Sequence, residues 1–167
     1  DLGWLEEHPS HTLTGFNERL MRWLPTMIEH RCSIGERGGF FERLRTGTWM
    51  GHVLEHVTLE LQTLAGTEVG YGRAKETKER GVYNVIIEYK EERFAIDCLH
   101  AAHRLLTAAI EGKSFDVEHT IENLREKLLL EQLGPSTRSI VEAAQRRDIP
   151  VRRMNEGSLV RLGIGSK

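Results

Sequence analysis

Thr48-Trp49-Met50-Gly51-His52-Val53-Leu54-Glu55-His56-Val57-Thr58-Leu59-Glu60-Leu61-Gln62-Thr63-Leu64 decides how the chain is read. Met50, Val53, Leu54, Val57, Leu61 and Leu64 recur at helical spacing, which predicts one helix over the whole stretch. At about 100° per residue, Met50, Leu54, Val57, Leu61 and Leu64 gather within roughly 40° of one direction. His52 and His56 fall about 120–160° from that centre, and Glu55 about 140° away on the other side. Three chemistry-bearing side chains thus stand off the apolar face. They meet solvent, a cleft or another element.

Outward from this helix the pattern is mixed. Phe16, Leu20, Trp23, Leu24, Met27 and Ile28 predict a helix over Thr14–Glu29, capped by Thr14 and kinked or divided at Pro25. Gly35, Gly38 and Gly39 mark residues 33–39 as a loop. On the other side, Gly66, Gly70 and Gly72 give an irregular stretch before the charged segment Arg73–Arg80. Val82–Tyr89 alternates, with Tyr83, Val85, Ile87 and Tyr89 on one face: a strand. Phe94–Glu111, ended by Gly112, and Asp116–Gln132, with Val117, Ile121, Leu124 and Leu128 inward, are two further helices. The fold class is α+β, helices packed on a small sheet. More strands are expected in the weaker segments, because a lone strand cannot satisfy its backbone.

Composition narrows the function. Of 167 residues, 39% are hydrophobic and 16 are glycine, which excludes a disordered or fibrous chain. The apolar runs Leu105–Ile110 and Val85–Ile87 are far short of the roughly 20 residues of a membrane span. No basic and apolar leader opens the chain, so the expectation is a cytoplasmic protein. Cys32 and Cys98 show no paired spacing and suit a reducing compartment. A net charge of −2 argues against binding nucleic acid through bulk charge. The charge is uneven: residues 1–133 carry −6 and residues 134–167 carry +4, switching at the turn signal Gly134-Pro135. The expected division is a domain over 1–133 and a second, incomplete unit over 134–167. That tail reads as a helix from Ser136 to Arg147, capped by Ser136, and a β-hairpin about Asn155-Glu156-Gly157.

His52-Val53-Leu54-Glu55-His56 is an H-x-x-E-H sequence within the central helix. Histidines at i and i+4 share a face one turn apart, where both imidazoles can bind one zinc ion. Glu55 can then act as general base, the arrangement of inverted zincins. Those enzymes draw a third ligand from a later helix. Glu118, Glu122 and Glu126 form a stripe on the helix Asp116–Gln132, and Glu122 is the favoured choice. Glu60 continues the histidine stripe, but eight residues span about 12 Å along a helix. It suits a supporting or substrate-facing role. His100 and His103 read as packing or surface residues. The segment Gly66–Gly72 lacks the lysine and the strand–helix setting of a nucleotide loop. The alternative to a metal site is a solvated helix face.

Longer motifs resemble a known family. Gly47 to Gly66, then Val69-Gly70-Tyr71-Gly72-Arg73 and Gly81-Val82-Tyr83-Asn84-Val85, are similar to the N-terminal domain of cyanophycin synthetases. So are Leu133-Gly134-Pro135-Ser136-Thr137, Ser139-Ile140-Val141, Ile149-Pro150 and Asn155 to Gly163, the start of that family's ATP-grasp domain. The resemblance runs from about Trp4 to Lys167. It implies an enzyme that builds cyanophycin, a poly-aspartate bearing arginine on each side-chain carboxylate. ATP and magnesium serve the ATP-grasp and Mur-ligase-like domains, whose nucleotide-binding residues this chain does not contain. The chain by itself is therefore not expected to be the ligase. The resemblance also implies a homo-oligomer for the full-length enzyme.

Two functions follow for the domain itself. As a binding module it would dock a polymer of alternating guanidinium and carboxylate groups, which calls for both signs of charge. Arg43, Arg45 and Arg73 could take polymer carboxylates, and Glu91 and Glu92 the arginines. As a zinc hydrolase, it would trim polymer into primers, as the resemblance implies for some members of the family, with His52, His56 and Glu122 as ligands and Glu55 as base. Without catalysis, the motif would be vestigial and the chain a scaffold.

Overall fold

Proline and glycine set the element boundaries of the N-terminal third. In the computed structural model, which describes residues 1–155 and 157–165, helix α1 spans Phe16–Trp23 and Pro25 opens a separate 3-10 turn, Pro25–Glu29. The helix expected over Thr14–Glu29 is divided at Pro25, one of the two outcomes expected there, since proline inside a helix removes a hydrogen bond and clashes with the preceding turn. Its N-cap is Gly15 in the left-handed conformation, not Thr14. A further 3-10 turn, Cys32–Ile34, precedes α2, Gly39–Thr46. Helix α2 has no counterpart in the sequence reading, although Phe40, Phe41 and Leu44 share one buried face; eight residues next to a glycine-rich loop are too short for the period to stand out. Gly39 is required by contact: a Cβ there would stand 2.0 Å from the Arg31 carbonyl oxygen. The residues around Cys32 therefore lie directly on the start of α2.

Helix α3, Met50–Ala65, is the centre of the molecule. Val53, Val57 and Leu61 are fully buried, and so are the polar Thr58 and Gln62. Helices α4, Glu92–Glu111, and α5, Val117–Glu131, pack on one side of it. An antiparallel hairpin of β1, Gly72–Glu76, and β2, Tyr83–Ile87, covers another, with Gly72 opposite Ile87 and Glu76 opposite Tyr83. Strand β2 shows the expected alternation at Tyr83, Val85 and Ile87, which turn inward, whereas Tyr89 lies past its end and is exposed. Strand β1 forms from the charged segment, where periodicity carried no signal. Gln62 Nε2 donates to the Glu88 carbonyl at 3.1 Å and ties α3 to the hairpin. Phe16, Phe40, Phe94, Leu20, Leu44 and Leu105 fill the core between the helices. The α+β expectation holds.

Helix α5 begins with a side-chain cap: Asp116 Oδ1 accepts from the His119 amide at 2.9 Å. Asp116→Ala is expected to lower stability by about 1 kcal/mol. Urea unfolding should show a lower midpoint at unchanged slope; an unmoved midpoint would mean water replaces the cap without loss.

The tail folds as α6, Pro135–Gln145, followed by β3, Val151–Arg153, paired antiparallel with β4, Val160–Leu162. Gly134 is the N-cap and Pro135 takes the first turn, so Ser136 does not cap; proline suits that position because no partner is needed for its nitrogen. The expected turn is held by Asn155 Oδ1, which accepts from the Gly157 amide at 3.0 Å, while Glu156 lies outside the described residues. Arg138 Nε donates to the Leu130 carbonyl at 2.9 Å and links α6 to α5. Among the described residues, no helix is long and apolar enough to cross a membrane.

Candidate metal centre

One turn of helix separates His52 from His56, so α3 alone presents both rings to the same open cleft of about 900 Å³. The opposite wall comes from residues 26–33, and the floor beyond Glu55 from β1. His52 Nε2 and His56 Nε2 stand 3.1 Å apart, and Cys32 Sγ is 3.2 Å from His52 Nε2. These donors of Cys32, His52 and His56 lie within 4.8 Å of one another. Phe40 stacks on the His56 ring at 4.2 Å between centroids and fixes its plane.

Behind the rings, every second nitrogen has a partner. His52 Nδ1 is 2.8 Å from Thr48 Oγ1, and His56 Nδ1 is 2.9 Å from His30 Nδ1. His30 Nε2 in turn reaches Glu60 Oε2 at 2.8 Å, and the Thr26 hydroxyl donates to Glu60 Oε1. Glu60 therefore takes the supporting place its spacing suggested.

Burial sets the charge states. It lowers His56 to about 3, with His52 and His30 adding to the effect, and His52 to about 4, with Arg43 adding. Both imidazoles are neutral near pH 7, the form that ligates a metal. Burial also raises the Glu55 carboxyl, against the backbone hydrogen bond from Ala74. Glu55 Oε1 sits 3.9 Å from His56 Nε2. Strand β1 can lie this close because residue 72 is glycine: a Cβ would come within 2.6 Å of Glu55 Cγ.

A sulfur and two neutral imidazole nitrogens suit zinc or a similar transition metal better than magnesium or calcium. With bonds of about 2.0–2.1 Å, two nitrogens on tetrahedral zinc stand roughly 3.4 Å apart, close to the spacing seen. The residues present fit the ion. Cys32 also holds a φ of 53°, uncommon for a non-glycine residue, so its backbone is constrained where its sulfur meets the histidines.

The other expected residues divide. Arg43 and Arg73 line the same cleft as His52, Glu55 and His56. Arg45 is exposed on α2, 3.8 Å from Glu42, and does not line it. Glu91 and Glu92 stand at the start of α4, also outside the cleft. Glu122 borders a separate depression with Trp23, Val117 and Ile121. Helix α5 buries Leu124 and Leu128, which turns Glu122 outward, and the third donor beside the histidines is Cys32. His100 and His103 are exposed on α4. Neither Cys32 nor His30 stood out in the sequence. The signal available was local: His30-Arg31-Cys32, a His-x-Cys pair just ahead of the glycine-rich loop.

Comparison with known proteins places this chain in a family. Residues 1–111 match the family model of the cyanophycin synthase-like N-terminal domain. The chain is 44% identical over 168 positions to the cyanophycin synthetase of Synechocystis sp., 40% to that of Crocosphaera subtropica and 42% to that of Trichormus variabilis. Each alignment takes in 99% of this chain and 19% of the relative, so the chain spans about a fifth of those proteins. With two thirds of its length matched by the model and near-complete alignment to these relatives, the chain belongs to the cyanophycin synthase-like N-terminal domain family.

Proposed function

We propose that this domain holds cyanophycin in the cleft and hydrolyses it with the help of zinc on Cys32, His52 and His56. The observation that carries the reading is the convergence of those three donors beside a buried carboxylate, Glu55, in a cleft that also carries arginines. Zinc, when bound, supplies Lewis acidity toward a substrate carbonyl. The chain supplies the rest. Glu55 takes a proton from water as its oxygen adds to the amide carbon, then returns that proton to the departing amine as the C–N bond breaks. His52 and His56 remain neutral, and Phe40 keeps water from the inner side of His56.

Arg43 and Arg73, which line the cleft, take polymer carboxylates there. Arg45, Glu91 and Glu92 are left for polymer that runs beyond it. In the longer proteins the ATP-dependent joining of aspartate and arginine, with its magnesium, belongs to other domains. Residues 134–167 begin the ATP-grasp domain, and 1–133 form the N-terminal unit. The full enzyme assembles as a homo-oligomer and works in the cytoplasm, in keeping with two free thiols here.

The test is incubation of the purified chain with cyanophycin, with and without a chelator. Shortened polymer that disappears with the chelator is the expected result. Binding without shortening would leave a non-catalytic docking module, and neither would defeat the assignment.

A further inference from the structure

We propose that Glu60 and His30 are positioning residues that set the tautomer of His56, so that its Nε2 lone pair faces the metal position; this rests on the zinc reading above. Glu60 is 3% exposed, and a buried carboxylate needs hydrogen-bond donors on its oxygens. The Thr26 hydroxyl serves Oε1, and His30 Nε2, 2.8 Å away, serves Oε2. With its one ring proton on Nε2, His30 presents a lone pair at Nδ1. That atom is 2.9 Å from His56 Nδ1. Two lone pairs cannot face each other at this distance, so His56 carries its proton on Nδ1 and donates it to His30. The lone pair of His56 then sits on Nε2, on the cleft side, where in the metal-free chain it accepts from the Nε2–H of His52 at 3.1 Å.

The relay matters because a free imidazole in water favours the proton on Nε2, which would block ligation at that atom. The second-nitrogen partner decides which nitrogen ligates. His56 finds its partner on a different segment, residues 26–30, rather than on its own helix. The Thr26–Glu60–His30 chain thus links the proline-opened turn to the ligand position.

Zinc affinity, read by competition with a chelating dye, separates an acceptor role from a packing role. His30→Asn places an amide oxygen near the site of Nδ1, whereas His30→Leu fills the space without an acceptor. The leucine variant is expected to bind zinc 10–100-fold more weakly, with the asparagine variant within about threefold of the parent. Glu60→Leu should shift affinity in the same direction as His30→Leu. The reverse order at position 30, or equal affinities, would overturn the proposal. Imidazole nitrogen NMR on the metal-free chain gives a second reading that needs no variant and no zinc. His56 should carry its proton on Nδ1 in the parent and move toward Nε2 in His30→Leu. If the parent takes no zinc, the metal reading fails while this measurement still judges the relay. A His56 protonated on Nε2 in the parent would defeat the relay itself.

Discussion

Glu55→Gln is expected to leave zinc bound and to lower polymer cleavage by about 10²–10⁴-fold, the usual worth of a general base. Glu55 is not among the three converging donors, so its loss should spare the metal. Glutamine keeps the side chain's size beneath Gly72, and its carbonyl can still accept from the Ala74 amide. What it loses is the ability to take a proton. Burial raises the Glu55 carboxyl toward the neutral range, where a base works best, so the change should fall on turnover. His52→Ala and His56→Ala should behave differently: each removes one of three donors and should abolish zinc and cleavage together. Elemental analysis and polymer chain length, read on the same samples, check all three variants. Zinc lost from Glu55→Gln would make Glu55 a ligand, and unchanged cleavage would remove it from the chemistry.

The part of this site that lies on one helix was legible because helical spacing is a local property. His52, Glu55 and His56 needed only the 3.6-residue period to be placed together. Cys32 and His30 come from a turn some 20 residues away, and their meeting with α3 depends on Gly39 admitting the Arg31 carbonyl. No period records that. The apolar wheel also understated α3. It suggested one covered face, yet Thr58, Glu60 and Gln62 are buried as well. Buried polar groups call for partners, and here residues 26–30 supply them for Glu60, the segment after β2 for Gln62 Nε2, and the Leu54 carbonyl of the same helix for Thr58.

Strand β1 escaped for a related reason. Its residues, Gly72 to Glu76, have poor strand propensity, and the pairing comes from β2 beside it and α3 beneath it. Glu122 shows the opposite fault, an expectation carried from how inverted zincins complete their sites. The stripe of Glu118, Glu122 and Glu126 was read correctly as one face of α5. Only packing decides where a stripe points, and Leu124 and Leu128 turn this one to solvent.

The metal-free chain should lose stability steeply as pH falls from about 6.5 toward 4. Burial holds His52 near 4 and His56 near 3, while in the unfolded chain both titrate near 6.5. Inside that window the unfolded state binds two protons that the native state refuses, so acid favours unfolding. Two differential protons correspond to about 2.7 kcal/mol per pH unit. Glu55 works against them. Its native pKa is raised, so the folded state keeps a proton that the unfolded chain releases above about 4.5, cancelling up to one of the two. The net slope near pH 5 is therefore about 1.4–2.7 kcal/mol per unit, and Glu55→Gln should steepen it by removing the opposing group. Glu88, lowered by the Gly70 and Tyr71 amides, adds to the loss only once pH nears its unfolded value, at the bottom of the window. Small domains hold about 5–15 kcal/mol in all, so such a slope can exhaust stability within a few pH units. Urea unfolding at pH 7, 6 and 5 in the presence of chelator measures it. A flat profile would mean that the two imidazoles are not held neutral in the fold, and the ligand-ready state inferred for them would fall with it.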